Sequence, residues 1–151
     1  MHLEYYPSPQ KFPDYFTEDV CRKSFSNSVH PDITELDFFY IIKFRDEVIG
    51  FHRIIDLFFD SEIELHGSYG YKNNTHIKSY FFLSCLFVAT VVRMFPERKI
   101  SSLVNENNKP AIHHLKWLGF YKTTPEQETS EMQYFELDKR SLFQKLNRIC
   151  R

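Results

Sequence analysis

Glycine is scarce in this chain, with four in 151 residues. That scarcity argues against a loop-rich or repeat architecture, and no internal repeat or low-complexity segment interrupts the sequence. Cysteine is nearly as rare. Cys21, Cys85 and Cys150 are odd in number, far apart and without a C-x-x-C pair, which excludes a zinc knuckle and a disulfide framework. Reduced thiols in a cytosolic protein are the expectation. Charge of one sign is also missing: 19 Lys and Arg stand against 20 Asp and Glu, for a net charge of −1. Without a basic stripe, no nucleic-acid partner is expected. The N-terminus has no basic region followed by an apolar stretch, so no signal peptide is expected. The longest apolar run, YFFLSCLFVATVV at 80–92, is too short to span a bilayer. It reads as a buried core helix with Cys85 inside it, and no membrane partner is expected.

Aromatic residues, by contrast, abound: 16 Phe and 9 Tyr in a chain that is 42% hydrophobic. That is ample core material for a single domain spanning 1–151, which at this length buries about two-thirds of its unfolded surface. The aromatic excess is read as packing rather than recognition.

Residues 3–6 suit a first strand, ended by Pro7 and Pro9. After Thr17, acidic residues and the spacing of Val20, Cys21 and Phe25 predict a helix that Pro31 ends. DFFYIIKF and VIGFHRIIDLFF, rich in β-branched and aromatic residues, predict two strands around the tight turn RDE. In EIELHGSY, at 62–69, Glu62, Glu64, His66 and Ser68 alternate with Ile63, Leu65 and Gly67. Period two gives one polar and one buried face. The loop GYKNNTH leads to a helix over 77–94, then a strand KISSLV, a short helix over 110–118, a strand MQYFELDK and a closing helix SLFQKLNRI. Hairpins first and β-α-β units later predict an α/β fold with an α+β mixed sheet: central, mostly antiparallel, twisted and flanked by helices.

The segment VNENNKPAIHHLKWLGF at 104–120 is the most specific. Pro110 suits a first helical turn, where its missing N–H has no partner to lose. Gly119 suits a left-handed helix stop, and Phe120 re-enters the core. Asn108, Ala111, Gly119 and Phe120 match the pattern N-x-x-A-x-x-x-Y-x-x-x-G-F, with Leu115 at the position of its Tyr. With the order of elements, this segment resembles the GNAT superfamily of N-acetyltransferases over roughly residues 35–138.

The resemblance implies a GNAT-like acyl-CoA N-acyltransferase fold, acetyl-CoA as cofactor and an amine acceptor. Glu64 and His66, on one face of the fourth strand, stand where a base for the incoming amine is often kept; an ammonium must lose a proton before it attacks a thioester. The bland reading of both is a half-exposed sheet face. No third ligand is spaced with them for a metal. The family's glycine-rich pyrophosphate loop corresponds here to NNTHIK at 73–78, where His76 and Lys78 replace the glycines. Tyr69, Thr75, His76, Ile77, Lys78, Ser79 and Asn108 are the implied cofactor residues, Asn108 doubling as a helix cap. A backbone N–H near Ser68–Tyr69 would hold the oxyanion if the fourth and fifth strands splay. Leu115 occupies the position of the tyrosine that protonates the departing thiolate in many members, while Tyr121 lies just beyond. His113 and His114 are expected in solvent. His52, on a face with Asp56, either lines the acceptor cleft or is satisfied within the fold, and Trp117 fills core or groove.

Two functional readings stay open. One is an N-acetyltransferase of unidentified acceptor. The other keeps the fold without the chemistry: the short aromatic-rich sequence is similar to small GNAT-like proteins of tailed phages and prophages, some of them associated with virion head assembly. The expected partners are accordingly an amine or a protein, with a homodimer compatible and a cytoplasmic location, that of the host for a phage product.

Overall fold

The computed structural model describes residues 2–6, 37–44, 47–57, 61–69, 77–124 and 131–150. The helix expected after Thr17 and the loop at 70–76 lie outside them. Strands β1 (His2–Tyr6), β2 (Asp37–Phe44), β3 (Glu47–Leu57) and β4 (Glu62–Tyr69) are successive antiparallel neighbours. Helix α1 (Ile77–Met94) then carries the chain across to β5 (Lys99–Asn105), which lies parallel to β4. Next come α2 (Lys109–Leu118), β6 (Phe120–Thr123), β7 (Met132–Leu137) and α3 (Lys139–Ile149). The seven strands form one sheet in the order β1-β2-β3-β4-β5-β7-β6. This is the mixed α/β architecture that the order of elements predicts.

One strand was not foreseen. β6 is four residues long, and Tyr121 and Lys122 are both exposed, so its burial does not alternate and the segment reads only as Phe120 turning inward. The expected end of β7 also moves. Asp138 leaves the strand and caps α3, its carboxylate accepting from the Arg140 and Ser141 N–H groups at 3.0 and 3.3 Å.

Pairing register sorts the side chains into two faces. Tyr40, His52, Ile54, Leu65, Ile63, Ile100 and Phe135 share one face through the pairs Tyr40↔His52, Ile54↔Leu65, Ile63↔Ile100 and Ser102↔Phe135. α1 packs there with Cys85, Phe87, Val88, Val91 and Val92, and Leu118, Leu142 and Leu146 complete the core. α1 is longer than the 80–92 run and, at 18 residues with mean hydropathy 1.5, overlaps a minimal bilayer span. Its inner face, with Ser84 and Cys85 fully buried, is built into the core of the sheet.

The α2 connection follows its sequence signals closely. The Asn108 side chain accepts from the Ala111 N–H at 3.2 Å, Pro110 sits in the first turn, and Gly119 ends the helix at φ 102°. The Gly119 N–H bonds back to Lys116 O at 3.1 Å. A Cβ there would approach Leu142 N to 3.3 Å as well as forcing an L-residue to positive φ. Gly119→Ala is expected to cost at least the 1–2 kcal/mol (roughly) of a left-handed residue, read as a lower denaturant midpoint; an unchanged midpoint would show that α2 can end without this geometry.

Candidate active site

β4 and β5 are joined for only part of their length. Their parallel pairs are Glu62↔Lys99, Ile63↔Ile100 and Glu64↔Ser101, and there the ladder stops. β4 continues against β3 to the pair Gly50↔Tyr69, while β5 continues against β7 to Asn105↔Met132. Two central strands therefore part after Glu64 and Ser101. The splay on which the Ser68–Tyr69 oxyanion donor depends is present, and the backbone of both residues lies on the parted stretch of β4.

Glu64 stands at the last pair and His66 two residues into the opening, both on the face opposite the one on which α1 packs. The two side chains meet: His66 Nε2 and Glu64 Oε1 are hydrogen-bonded. With Nε2–H donating to the carboxylate, Nδ1 is left as the acceptor, so the imidazole is the group that can take a proton and Glu64 the group that orients it. Their side chains are 20% and 14% exposed, partly screened yet open to a small acceptor. The alternation in EIELHGSY is realised, with Ile63 and Leu65 buried opposite them.

Arg53 on β3 is the Cα partner of His66 and is only 5% exposed. It escaped notice because a period-two reading of one strand does not say which residue of the next lies across. Farther along the same face, the Tyr134 hydroxyl donates to Glu62 Oε1. Lys99 Nζ sits 4.9 Å from the centre of the Tyr134 ring and 3.3 Å from Glu136 Oε2. The Tyr134 hydroxyl, then the Glu62 and Glu136 carboxylates, hold the Lys99 ammonium above its ordinary pKa.

The helix side of the opening is formed by the starts of α1 and α2. Ile77 and Lys78 are exposed and Ser79 half-buried in the first turn of α1, which holds no acidic residue. Thr75 and His76 fall outside the described residues, as does the Tyr69 side chain. Asn108 serves as the α2 cap. Leu115 packs against the core, and Tyr121 stands on β6, the strand at the sheet edge, opposite Glu136. Two strand steps separate it from β5, about 10 Å, so its hydroxyl does not face the opening.

One histidine expectation needs correcting, and the structure decides between the two readings of another. His114 is not in solvent: its ring lies 4.3 Å from Phe81 and 5.1 Å from Tyr80, wedged between α1 and α2, with Trp117 5.0 Å from Phe81. A short helix docked on an aromatic neighbour buries more of its circumference than its own pattern shows. His113 is exposed, as expected. His52 does not line the cleft beside Glu64 and His66, because its pairing with Gly67 puts it on the helix face. There it stacks on Phe87 at 4.4 Å and 4°. The Asp56 side chain lies outside the described residues.

An open cavity of about 880 Å³, lined by Arg98, Lys99, Tyr121, Glu136 and Arg140 among others, lies at the start of β5. It is at the closed end of the strand pair, away from the dyad.

A mixed sheet whose fourth and fifth strands are parallel and part midway is the GNAT acetyltransferase fold. Solved structures with this fold include a GNAT-family acetyltransferase from Bacillus anthracis, with TM-score 0.63 and 12% identity over 93% of this chain and 96% of that one. A variant of spermidine N-acetyltransferase SpeG from Vibrio cholerae gives TM-score 0.57 at 12% identity, over 74% and 70% of the two chains. The N-acetyltransferase PseH from Campylobacter jejuni, in complex with acetyl coenzyme A, gives TM-score 0.51 at 12% identity over 69% of each. At such identities the likeness is one of fold. No protein-family profile and no curated protein matches the sequence.

Burial, and then the neighbouring His114, pushes the His52 pKa down to about 3; burial, and then His113, pushes His114 to about 4. Both imidazoles are therefore neutral in the folded chain, whereas the unfolded ones titrate near 6.5. The stability they allow is complete above about pH 6.5 and is lost as pH falls from there toward 4, where the unfolded chain binds the extra protons. His114→Phe, which keeps a ring in the wedge, is expected to flatten the fall in melting temperature between pH 7 and 5. An equally steep fall would place the acid sensitivity elsewhere.

Proposed function

We propose that the chain is an acyl-CoA-dependent N-acetyltransferase that acetylates an amine. The observation that carries this reading is the Glu64–His66 dyad at the point where β4 and β5 part. The chemical demand is specific: an amine acceptor arrives as an ammonium, and its proton must go to a group whose acidity suits neutral pH. His66 Nδ1, left as the acceptor by the bond from Nε2 to Glu64, is placed to take that proton. Glu64 fixes the ring and offsets the positive charge the imidazole acquires.

The residues present fit acetyl-CoA. Beyond Glu64, β4 has no β5 ladder, so its backbone donors on that side are available to amide and acyl oxygens. At the exposed start of α1, Lys78 and Ser79 offer a cation and a hydroxyl to phosphate oxygens, beside N–H groups that an α-helix leaves unpaired. When bound, the cofactor supplies an acetyl group activated as a thioester. The chain's own part is to hold that group against the β4 edge, with the Ser68 or Tyr69 N–H donating to its oxygen, and to deprotonate the amine from the opposite face. Leu115 donates nothing, and no residue described in the opening replaces the missing hydroxyl.

The neighbouring folds support the reading by what they are called, acetyltransferases, one of them solved with acetyl coenzyme A. The nature of the amine is open; the acidic residues Glu62 and Glu64 beside His66 favour a cationic acceptor over an acidic one. The alternative, a phage-type assembly protein on the same fold, rests on Leu115 packing into the core and on the departures from glycine at His76 and Lys78.

Acetyl-CoA at a hundred times its dissociation constant is expected to stabilise the chain by roughly 2.7 kcal/mol, seen as a raised melting temperature. No shift at millimolar cofactor sinks the enzyme reading in favour of the assembly role. Given a shift, His66→Gln should lower kcat roughly 10²- to 10⁴-fold with the cofactor-induced shift retained; full turnover in that variant would remove His66 as the base.

A further inference from the structure

The face that carries the dyad holds a second hydrogen-bonded pair. Glu62, Glu64 and His66 follow one another at every second position of β4, so Glu64 has a carboxylate on one side and an imidazole on the other, each about 7 Å along the strand. A Glu62 side chain free to swing would crowd Glu64 and compete for the His66 N–H. It is not free. Tyr134, 72 residues away in sequence and on β7, reaches over β5 to donate to Glu62 Oε1. Arg98 donates to the Glu62 backbone carbonyl, and Lys99 is its cross-strand partner. Lys99 in turn lies against the Tyr134 ring and pairs with Glu136.

We propose that Tyr134 is a positioning residue for the dyad: by tethering Glu62 toward β7, it leaves Glu64 to His66 alone. The inference deepens the acyl-transfer reading and, as a statement about catalysis, rests on it. The charged and titratable groups around the dyad among the described residues are Arg53 on β3, Glu62 on β4 itself, Arg98 just before β5, Lys99 on β5, and Tyr134 and Glu136 on β7. The Tyr134 hydroxyl reaches the Glu62 carboxylate from two strands away. The tether also spans the closed end of the β4–β5 pair, so it sets the carboxylate's direction from a strand that the opening does not move.

The test is an imidazole titration of the full chain by NMR, with no ligand present. Tyr134→Phe should move the His66 titration midpoint to higher pH, because the released Glu62 carboxylate favours the imidazolium. Glu62→Gln alone should leave it nearly in place, because the tether already holds that carboxylate off the dyad, and adding Tyr134→Phe to Glu62→Gln should move it no further. A midpoint unmoved by Tyr134→Phe, or moved equally in both backgrounds, overturns the proposal, as does a lower melting temperature with the midpoint unchanged. Should Tyr134→Phe fail to fold, Glu62→Gln decides the matter alone: a midpoint moved clearly to lower pH overturns the proposal, because a tethered carboxylate does not reach the dyad. In turnover, the acid limb of the pH–rate profile of Tyr134→Phe should shift with the midpoint while the KM for acetyl-CoA stays constant; a limb that stays put overturns the catalytic part. Absence of transfer by the unmodified chain would remove the proposed function and leave the titration result standing, so the two failures are separable.

Discussion

The parallel ladder between β4 and β5 ends after Glu64↔Ser101, and the rest of the site follows from that stop. Each strand is held on its other flank along its length, β4 by β3 and β5 by β7, so neither can bend back to meet the other. The result is a pair of inner strand edges within one sheet. Backbone N–H and C=O groups away from solvent demand partners, so edges of this kind call for an occupant with amide-like donors and acceptors, or for water. A pantetheine-like chain is such an occupant. The split is thus a consequence of strand pairing before it is a binding site, and the starts of α1 and α2 stand beside it because both crossovers leave from the parted ends.

The same sheet separates packing from chemistry by a one-residue offset. His52 and Arg53 are neighbours in β3, yet His52 is stacked on Phe87 among the helices while Arg53 stands across from His66. Burial, and then the neighbouring His114, makes His52 a poor base, pushing its pKa down to about 3. His66, partly exposed and carboxylate-oriented, is placed to accept a proton. Two histidines on adjacent antiparallel strands thereby stand on opposite faces, and a slip of one residue in the β3–β4 register would put both on the same face.

Local patterns made much of this legible. The alternation in EIELHGSY placed Glu64 and His66 on one face, and Asn108, Pro110 and Gly119 predicted both ends of α2, because capping and strand period are determined by residues a few positions apart. What escaped was long-range. The burial of His114 depends on Phe81 from another helix, and the Tyr134–Glu62 bond joins strands that are not even neighbours. β6 was missed for a different reason: it is held in the sheet by β7 on one side only, so its exposed residues carry no periodic signal. Thr75 and His76, named from the loop motif, lie outside the described residues.

In the proposed acyl transfer, Leu115 shows how the two halves of the reaction would make unequal demands. A thiol of ordinary acidity, with pKa about 8.5, leaves tolerably as a thiolate, so the acid side of an acyl transfer from a thioester asks little of the protein. The amine side asks more, since a protonated amine has no lone pair to attack with. A tyrosine at 115 would also have to satisfy a hydroxyl beside Ala111, Ile112 and Leu118, whereas the leucine packs against the core and adds apolar burial, worth up to about 1.5–3 kcal/mol for a side chain fully removed from water. Trading the proton donor for core packing while keeping an oriented imidazole is therefore a coherent economy for an enzyme. It is a weaker one for a scaffold, which has no need of a carboxylate-bound histidine at the mouth of a parted strand pair.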